Sequence, residues 1–309
     1  MLDARQGDVM PSLTIRHVTI YRYRQPVAFG EHRMMLRPRD SHDQKVIEAS
    51  LDISPEPSSL CFTEDAFGNH VAIAQFDGSS SELSFESIVS LEHSPANADL
   101  DLAQAAGDFP VDYSALEMPE LAHCIQRHHP DPDDEVGRWA RQFLHASGSI
   151  GTLELLVRLS QGIHQGFLYR RREAKGIQRP VETLRLGHGS CRDFALLMIE
   201  AARSLGLAAR FASGYLAVPF EPDEEPASTG AVDRAHGATH AWAQVYLPGA
   251  GWIDFDPTSG SVGKAKLVTV AVVRDPDQAL PLHGTFVGSA SDPLGMEVRV
   301  SVTSVPPHQ

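Results

Sequence analysis

The 309-residue sequence is poor in basic residues, since 26 lysines and arginines stand against 40 aspartates and glutamates. The formal net charge is therefore −14. A chain this acidic is repelled by phosphate backbones and by anionic lipid headgroups, so we expect neither nucleic acid nor a membrane as its partner. The apolar fraction of 42% is ordinary for a globular protein and argues against general disorder.

Long apolar runs and cysteines are also scarce. No run of about 18 apolar residues occurs, so no membrane-spanning helix is predicted. The segment 1–14 lacks the apolar stretch of a secretion signal. The three cysteines, Cys61, Cys124 and Cys191, are too few and too scattered for a disulfide framework or a zinc site. These absences predict a cytoplasmic protein whose thiols stay reduced.

The chain is long for a single core, so two domains are expected. Short alternating stretches between turn signals predict an antiparallel, sandwich-like β domain over residues 1–105. Residues 106–134 lose this periodicity and are interpreted as a connector. Residues 135–309 combine helical patterns with further strands, including the C-terminal ones, so the predicted fold class is α+β. The predicted strands of the first domain cover residues 13–23, 46–53, 70–76 and 82–91, and the predicted helices of the second cover 135–146, 152–167 and a segment after Ser190.

Cys191 stands at the start of the third of these helices. Apolar residues follow it at helical spacing, and Gly206 is the stop signal. Ser190 can cap the helix, with Asp193 three residues later in a capping-box relation. The first turn of a helix favours a thiolate, because its N–H groups and the positive end of the helix dipole face the anion. Taken alone, however, a cysteine at such a position is more often an inert apolar residue.

His240 and Asp256 are candidate partners for a cysteine nucleophile, and they lie on two predicted strands. If Leu247 and Gly251 close a three-residue loop, Asp256 lies one diagonal step from His240, at about 7 Å between Cβ atoms. A carboxylate on one ring nitrogen leaves the other nitrogen to take the thiol proton. Taken alone, His240 has the alternative interpretation of a surface histidine, and Asp256 that of the aspartate in a turn-forming Asp-Pro. Together with Cys191, the two residues favour a Cys-His-Asp triad.

Two other polar segments have alternative interpretations. Histidines, aspartates and Cys124 cluster between residues 123 and 134, but their spacing matches no metal-ligand pattern, so a solvated connector is preferred. The segment Glu221–Gly237 has almost no apolar residue and is interpreted as a mobile surface loop, with a flap beside His240 as the alternative. Glycine motifs for nucleotide binding and a Gly-x-Ser-x-Gly elbow around Ser190 are absent.

The motifs around the three residues resemble those of the transglutaminase-like superfamily, whose core shares the arrangement of papain-like cysteine proteases. Residues 189–195, Gly-Ser-Cys-Arg-Asp-Phe-Ala, resemble its nucleophile motif. Residues 239–246 and 251–258 resemble its histidine and aspartate strands. The match implies Asp256, rather than Asp254, as the carboxylate of the triad.

The resemblance extends to the first third of the chain. Residues 16–23, 36–39 and 65–69 look like the N-terminal β region of bacterial transglutaminase-like proteins. The fold implied by the resemblance is therefore an N-terminal antiparallel β domain followed by a transglutaminase-like, papain-like catalytic domain.

The activity implied by the resemblance is cysteine-dependent acyl transfer on a peptide or protein substrate, without a metal or an organic cofactor. We expect hydrolysis, as by a protease or amidase, because the sequence shows no feature dedicated to excluding water. Protein-glutamine transamidation and a non-catalytic peptide-binding module are the alternatives. The Cys191 N–H is expected to supply one oxyanion donor. Further candidates for the oxyanion hole or substrate cleft are Tyr169, Gln165, Ser190 and Trp242.

Overall fold

The computed structural model describes residues 12–94, 107–144, 150–171, 176–217, 239–289 and 291–305. The acidic segment Glu221–Gly237 lies outside these residues, so its interpretation as a loop or flap stays a prediction. Within the described ranges the chain forms two larger antiparallel sheets, the second of which carries helices on one face. No helix in these ranges is long and apolar enough to cross a bilayer.

The strands are β1 Ser12–Met34, β2 Gln44–Ser54, β3 Ser59–Glu64, β4 His70–Gln75, β5 Ser79–His93, β6 Asp108–Phe109, β7 Ile150–Gly151, β8 Leu168–Tyr169, β9 His188–Gly189, β10 Ala209–Leu216, β11 His240–Leu247, β12 Gly251–Asp256, β13 Ser261–Val262, β14 Leu267–Val273, β15 Leu282–Val287 and β16 Pro293–Val305. The α-helices are α1 Met118–Ile125, α2 Glu135–Arg141, α3 Thr152–Gly166, α4 Pro180–Leu186 and α5 Cys191–Ser204.

The first sheet is built around the long strand β1. Its strand order is β2-β5-β1-β4-β3, and β15 and β16 also pair with β1. The predicted end of the first strand at Tyr23 is wrong, because β1 continues through Gln25 and Pro26 to Met34. Its register with β5 shifts between Arg22 and Val27 instead. Proline has no N–H for a strand ladder, so it interrupts the pairing locally while the strand goes on.

The second sheet has the order β13-β12-β11-β10-β14. Helix α5 packs on β11 and β10, and α2, α3 and α4 pack against α5. The core between them is fully buried and includes Leu155, Phe194 and Leu197 on the helices. Helix α3 agrees with its prediction to within one residue. Gly206, just after α5, has a φ of 81°. This is the left-handed conformation that commonly ends a helix and that glycine adopts without strain.

The sheets meet at the free edge of β14, which two amide side chains cover as a neighbouring strand would. Gln44 donates from Nε2 to the Thr269 carbonyl at 2.7 Å and accepts the Thr269 N–H at 2.9 Å. Asn69 donates from Nδ2 to the Val272 carbonyl at 2.8 Å and accepts the Val272 N–H at 2.9 Å. An open strand edge has unpaired N–H and carbonyl groups, so these contacts fix the first sheet against the second.

The structure corrects two features of the predicted domain division. The C-terminal strands, assigned with residues 135–309, belong to the first sheet, since β15 and β16 both pair with β1. The predicted connector, residues 106–134, contains β6 and α1. Helix α1 escaped prediction because it has only eight residues and buries two of them, Leu121 and Cys124. Helix α4 was also missed.

The cluster between residues 123 and 134 is less solvated than predicted. The Asp131 carboxylate is 2% exposed. It accepts the N–H groups of Glu135 and Val136 at the start of α2 and pairs with Arg127 at 2.7 Å. Across the described ranges, no three His, Cys, Asp or Glu side chains are grouped so that they would hold a metal ion. The polar residues that stood out in the sequence therefore serve in part to cap α2.

We predict that Asn69→Ala lowers the free energy of unfolding by about 2–4 kcal/mol, because it leaves the buried N–H and carbonyl of Val272 without partners. Urea denaturation measures the change. The matched control is Gln75→Ala, at an exposed position of β4, which should leave stability almost unchanged. A loss below about 1 kcal/mol in Asn69→Ala would show that the amide does not hold the two sheets together.

Candidate active site

Cys191 is the first residue of α5 and is 8% exposed. The backbone N–H and the hydroxyl of Ser190 both donate to Asp193 Oδ2 at 2.8 Å, which is the relation the sequence predicts for the helix start. The N–H groups of a first helical turn have no acceptor within the helix, and the helix dipole adds positive potential there. The fold therefore places the Cys191 thiol where a negative charge is stabilised.

The segment before Cys191 is held by the same carboxylate. Asp193 Oδ1 accepts the backbone N–H of Gln178 at 2.7 Å, and Gln178 Nε2 donates to the His188 carbonyl at 2.9 Å. Gly189 is required by space, since a Cβ there would lie 2.9 Å from the Cβ of Asp193. Asp193 thus fixes both the helix start and the strand that leads into it.

Strands β11 and β12 have the predicted register. Leu247 pairs with Gly251 and Gln244 with Asp254, so the loop between the strands has three residues. Gly249 and Gly251 have φ values of 82° and 77°, a region that glycine adopts without strain. This register sets Asp256 one diagonal step from His240.

His240 and Asp256 form a buried hydrogen-bonded pair. The imidazole Nε2 lies 2.9 Å from Asp256 Oδ2, and both side chains are almost inaccessible to solvent. Asp256 also accepts the Thr258 N–H on Oδ1 at 2.9 Å and the Ser259 hydroxyl on Oδ2 at 2.7 Å. Burial by itself raises the pKa of Asp256, but the His240 charge and these hydrogen bonds lower it below its ordinary value.

The second ring nitrogen of His240 faces the cysteine. Nδ1 is buried and makes no hydrogen bond of standard geometry with any residue that the structure describes. Burial by itself lowers the pKa of His240, but the charge and hydrogen bond of Asp256, with a further contribution from the Cys191 thiol, raise it to about 10. Because Nε2 of His240 is bonded to Asp256, Nδ1 is the ring nitrogen that is available to the Cys191 thiol. The structure thus brings the three predicted residues together at one place.

Trp242 lies behind the histidine and is not part of an open cleft. Its indole is stacked on the His240 ring at 6.1 Å between centroids and is completely buried, which corrects its assignment as a cleft residue. The indole Nε1 donates to Asp254 Oδ1 at 2.5 Å, and Gln244 Nε2 donates to the same oxygen at 2.8 Å. Burial raises the pKa of Asp254, with these two bonds opposing the change. Asp254 therefore supports the packing beneath His240.

Sequence reasoning missed Ser259 and Arg192. Ser259 holds the same Asp256 oxygen as His240, and the polar residues that follow Pro257 were the available signal. The Arg192 guanidinium donates to the Pro276 carbonyl at 2.8 Å. Burial lowers the pKa of Arg192, and its interactions with Cys191 and Asp277 act against that change, so the arginine places a positive charge near the thiol.

The other predicted cleft residues have different positions. Tyr169 lies on β8, paired with Gly189 of β9 beside the nucleophile segment, and its ring meets Phe194 edge-on. Ser190 is half-buried and bonded to Asp193. Gln165 is exposed near the end of α3, the surface position that is common for glutamine. The roles of Tyr169 and Gln165 in an oxyanion hole stay predictions.

We predict that His240→Gln loses stability in a pH-dependent way. Because the pKa of His240 is raised from 6.5 to about 10, its contribution to the free energy of unfolding is full below pH 6.5 and is lost as pH rises through about 10. The lowered pKa of Asp256 adds a contribution that is full above pH 3.8 and is lost on further acidification. Urea denaturation at a series of pH values measures both contributions to the free energy of unfolding.

The difference in unfolding free energy between wild type and His240→Gln should therefore be largest between about pH 4 and 6.5 and shrink towards pH 10. The matched control is again Gln75→Ala, which removes an exposed side chain that has no titratable group, so its effect on stability should not vary with pH. A difference that stays constant over this range would contradict the ion-pair assignment.

Two parts of the chain match known protein families. Residues 13–92 match the bacterial transglutaminase-like N-terminal region, and residues 139–257 match the transglutaminase-like superfamily. The first match covers most of β1–β5, and the second contains Cys191, His240 and Asp256. The order of the two regions agrees with the resemblance found in the sequence.

The chain is also similar, over most of its length, to related proteins and to a solved structure. An uncharacterized protein of Mycobacterium tuberculosis is 28% identical, over 94% of this chain and 92% of its own length. An uncharacterized protein of Mycobacterium leprae is 25% identical, over 94% and 98%. The crystal structure of a candidate cysteine protease from Cytophaga hutchinsonii has a TM-score of 0.68 at 19% identity and covers 97% of this chain and 94% of its own, so it shares the fold. The chain belongs to the transglutaminase-like superfamily, with the N-terminal region of its bacterial members, and the match of residues 139–257 to this superfamily supports cysteine-based catalysis in general.

Proposed function

We propose that the protein is a cysteine-dependent hydrolase of peptide or amide bonds that acts through a Cys191-His240-Asp256 triad. The observation that carries the proposal is the two-sided environment of His240. Its Nε2 is fixed by Asp256 at 2.9 Å, and its buried Nδ1 is left for the Cys191 thiol. An imidazole held in this way can take a proton from the thiol and later return it to a leaving group.

The chemistry begins with transfer of the thiol proton to His240. The raised pKa of His240 favours its protonated form at neutral pH, and an imidazolium beside a thiol favours the thiolate. The thiolate attacks the carbonyl carbon of the substrate, and the electron pair of the C=O bond moves to oxygen. The backbone N–H of Cys191 at the helix start is the donor we assign to this oxyanion.

Collapse of the tetrahedral intermediate releases the amine, which takes its proton from His240, and leaves an acyl-enzyme on Cys191. His240 then removes a proton from water, and the hydroxide displaces the cysteine as the free acid forms. Asp256 stays ionised throughout, since its lowered pKa keeps the charge that stabilises the imidazolium. No step requires a metal or an organic cofactor. The Cytophaga protein of the same fold is described as a candidate cysteine protease, which agrees with hydrolysis as the outcome.

We predict that iodoacetamide alkylates Cys191 at least about tenfold faster than Cys61 at neutral pH, because a histidine-paired thiol is more ionised than an ordinary one. Cys61 is exposed and serves as the internal reference, whereas Cys124 and Cys191 are both buried, so a faster reaction at Cys191 would not come from greater exposure. Peptide mass spectrometry after timed labelling gives both rates in one sample. The His240→Ala variant should reduce the Cys191 rate and leave the Cys61 rate unchanged. Equal rates for Cys191 with and without His240 would exclude the pairing.

We predict that a peptide library is hydrolysed and that Cys191→Ala lowers turnover by about a thousandfold or more. Asp256→Asn should lower it by about a hundredfold or more, since the imidazolium loses its counter-charge. The matched control, Cys61→Ser, should keep full activity. Mass spectrometry in heavy-oxygen water, with and without an added amine, identifies the acceptor.

Heavy oxygen in the new carboxyl groups supports hydrolysis, and an amine adduct in place of it supports transamidation. Turnover that survives in Cys191→Ala contradicts a cysteine mechanism. Binding of peptides without any turnover would support the alternative, a non-catalytic peptide-binding module.

A further inference from the structure

A cavity of about 360 Å³ lies at the end of β11 that is remote from His240. Its position is set by Tyr246, near the last residue of the strand, and by helix α1, which closes the other side. Cavities of this size hold small organic molecules. The apolar part of its wall consists of Phe67, Leu116, Leu121, Trp252 and Val273.

Arg210 brings a positive charge into this apolar wall. Its guanidinium carbon lies 3.9 Å from the centroid of the Trp252 ring, and its Nε donates to Gln244 Oε1 at 2.8 Å. The stacking and the hydrogen bond orient the guanidinium, and its two terminal amino groups have no other hydrogen-bond acceptor among the described residues. None of the ion pairs within the described residues involves Arg210. Burial accordingly lowers the pKa of Arg210, to about 10.

Arg274 contributes a second cation to the same wall. Within the described ranges its buried Nε has no hydrogen-bond partner, and its guanidinium forms no ion pair with a carboxylate. Its backbone is held in place, because its carbonyl accepts a hydrogen bond from Arg203 at 2.8 Å. Two guanidinium groups thus line one cavity with no described carboxylate within ion-pair distance as a counter-charge. Asp254 acts on Arg210 only from a longer distance, so both arginines would attract an anion bound in the cavity.

The carboxylates at the cavity do not supply that counter-charge. Glu117 accepts the Ser114 hydroxyl at 2.7 Å on one oxygen and the Tyr246 hydroxyl at 2.8 Å on the other. Glu120 also contributes to the wall but is exposed to solvent. Neither forms an ion pair with Arg210 or Arg274 among the pairs of the described chain.

We propose that this cavity is a binding site for an organic carboxylate with an apolar body, separate from Cys191. A guanidinium presents its N–H groups in a planar fork that matches the two oxygens of a carboxylate. The apolar wall, with the exposed part of Trp252, accepts the remainder of the ligand. A free small acid and the C-terminus of a peptide share this chemistry.

The test is isothermal titration calorimetry of the full chain with hydrocinnamate, an aromatic carboxylate, and with the matched neutral hydrocinnamamide. Saturable binding of one hydrocinnamate per chain is expected, with at least about tenfold weaker binding of the amide. Acetylglycylphenylalanine and its C-terminal amide form the peptide arm. If only the peptide acid binds, the ligand is a peptide C-terminus; if both acids bind, a free acid suffices. Either result supports the site.

The deciding variant is Arg274→Gln, because Arg210 also supports Gln244 and Trp252 and its loss would disturb the sheet. Arg274→Gln should weaken binding of the acids at least about tenfold and leave the thermal unfolding transition unchanged. Arg299→Gln, at an exposed site of β16, is the matched control and should bind as wild type does. Equal binding of acid and amide, unchanged binding in Arg274→Gln, or no binding of either acid would overturn the proposal.

Discussion

The hydrogen bond between His240 and Asp256 is the interaction around which the rest of the candidate active site is organised. Both partners are buried, and two buried charges lose more hydration than their mutual attraction restores unless other hydrogen bonds take part. Thr258 and Ser259 supply those bonds to Asp256. The pair depends in turn on the three-residue turn between β11 and β12, since a slip of one residue would turn Asp256 to the opposite face of the sheet.

Helix α5 must be held firmly if its first residue is to meet His240, and charged groups hold both of its ends. At the start, Asp193 ties Ser190 and Gln178 together. Near the end, the fully buried pair of Arg203 and Glu200 lies 2.9 Å apart, and Arg203 also donates to backbone carbonyls of three other segments, those of Cys124, Ala209 and Arg274. A buried arginine is tolerated there because its donors are used. These contacts give α5 one position relative to the sheet.

Much of this arrangement was predictable because its signals are local. Helical spacing after Cys191, alternation in β11 and glycines in the following turn each act within a few residues, and together they predicted how near Asp256 comes to His240. Pairing of β16 with β1 was not predictable, since it joins residues at opposite ends of the chain and no local pattern selects the partner. Alternation placed Trp242 on the same face as His240 but carried no information on depth, so its burial was missed.

The two-residue period of β11 explains how one strand serves two places in the molecule. Its alternate residues Ala241, Ala243 and Val245 pack into the core with α5, while the others face the opposite side. On that side the ring of His240 stacks on Trp242. Trp242 and Gln244 both donate hydrogen bonds to the same oxygen of Asp254. The side-chain oxygen of Gln244 accepts a hydrogen bond from Arg210, which lines the cavity. The hydrogen bonds from Trp242 and Gln244 to Asp254, and from Arg210 to Gln244, satisfy much of the polarity of this buried face. The strand that orients the candidate base therefore also positions the arginine of the cavity, through a continuous set of contacts.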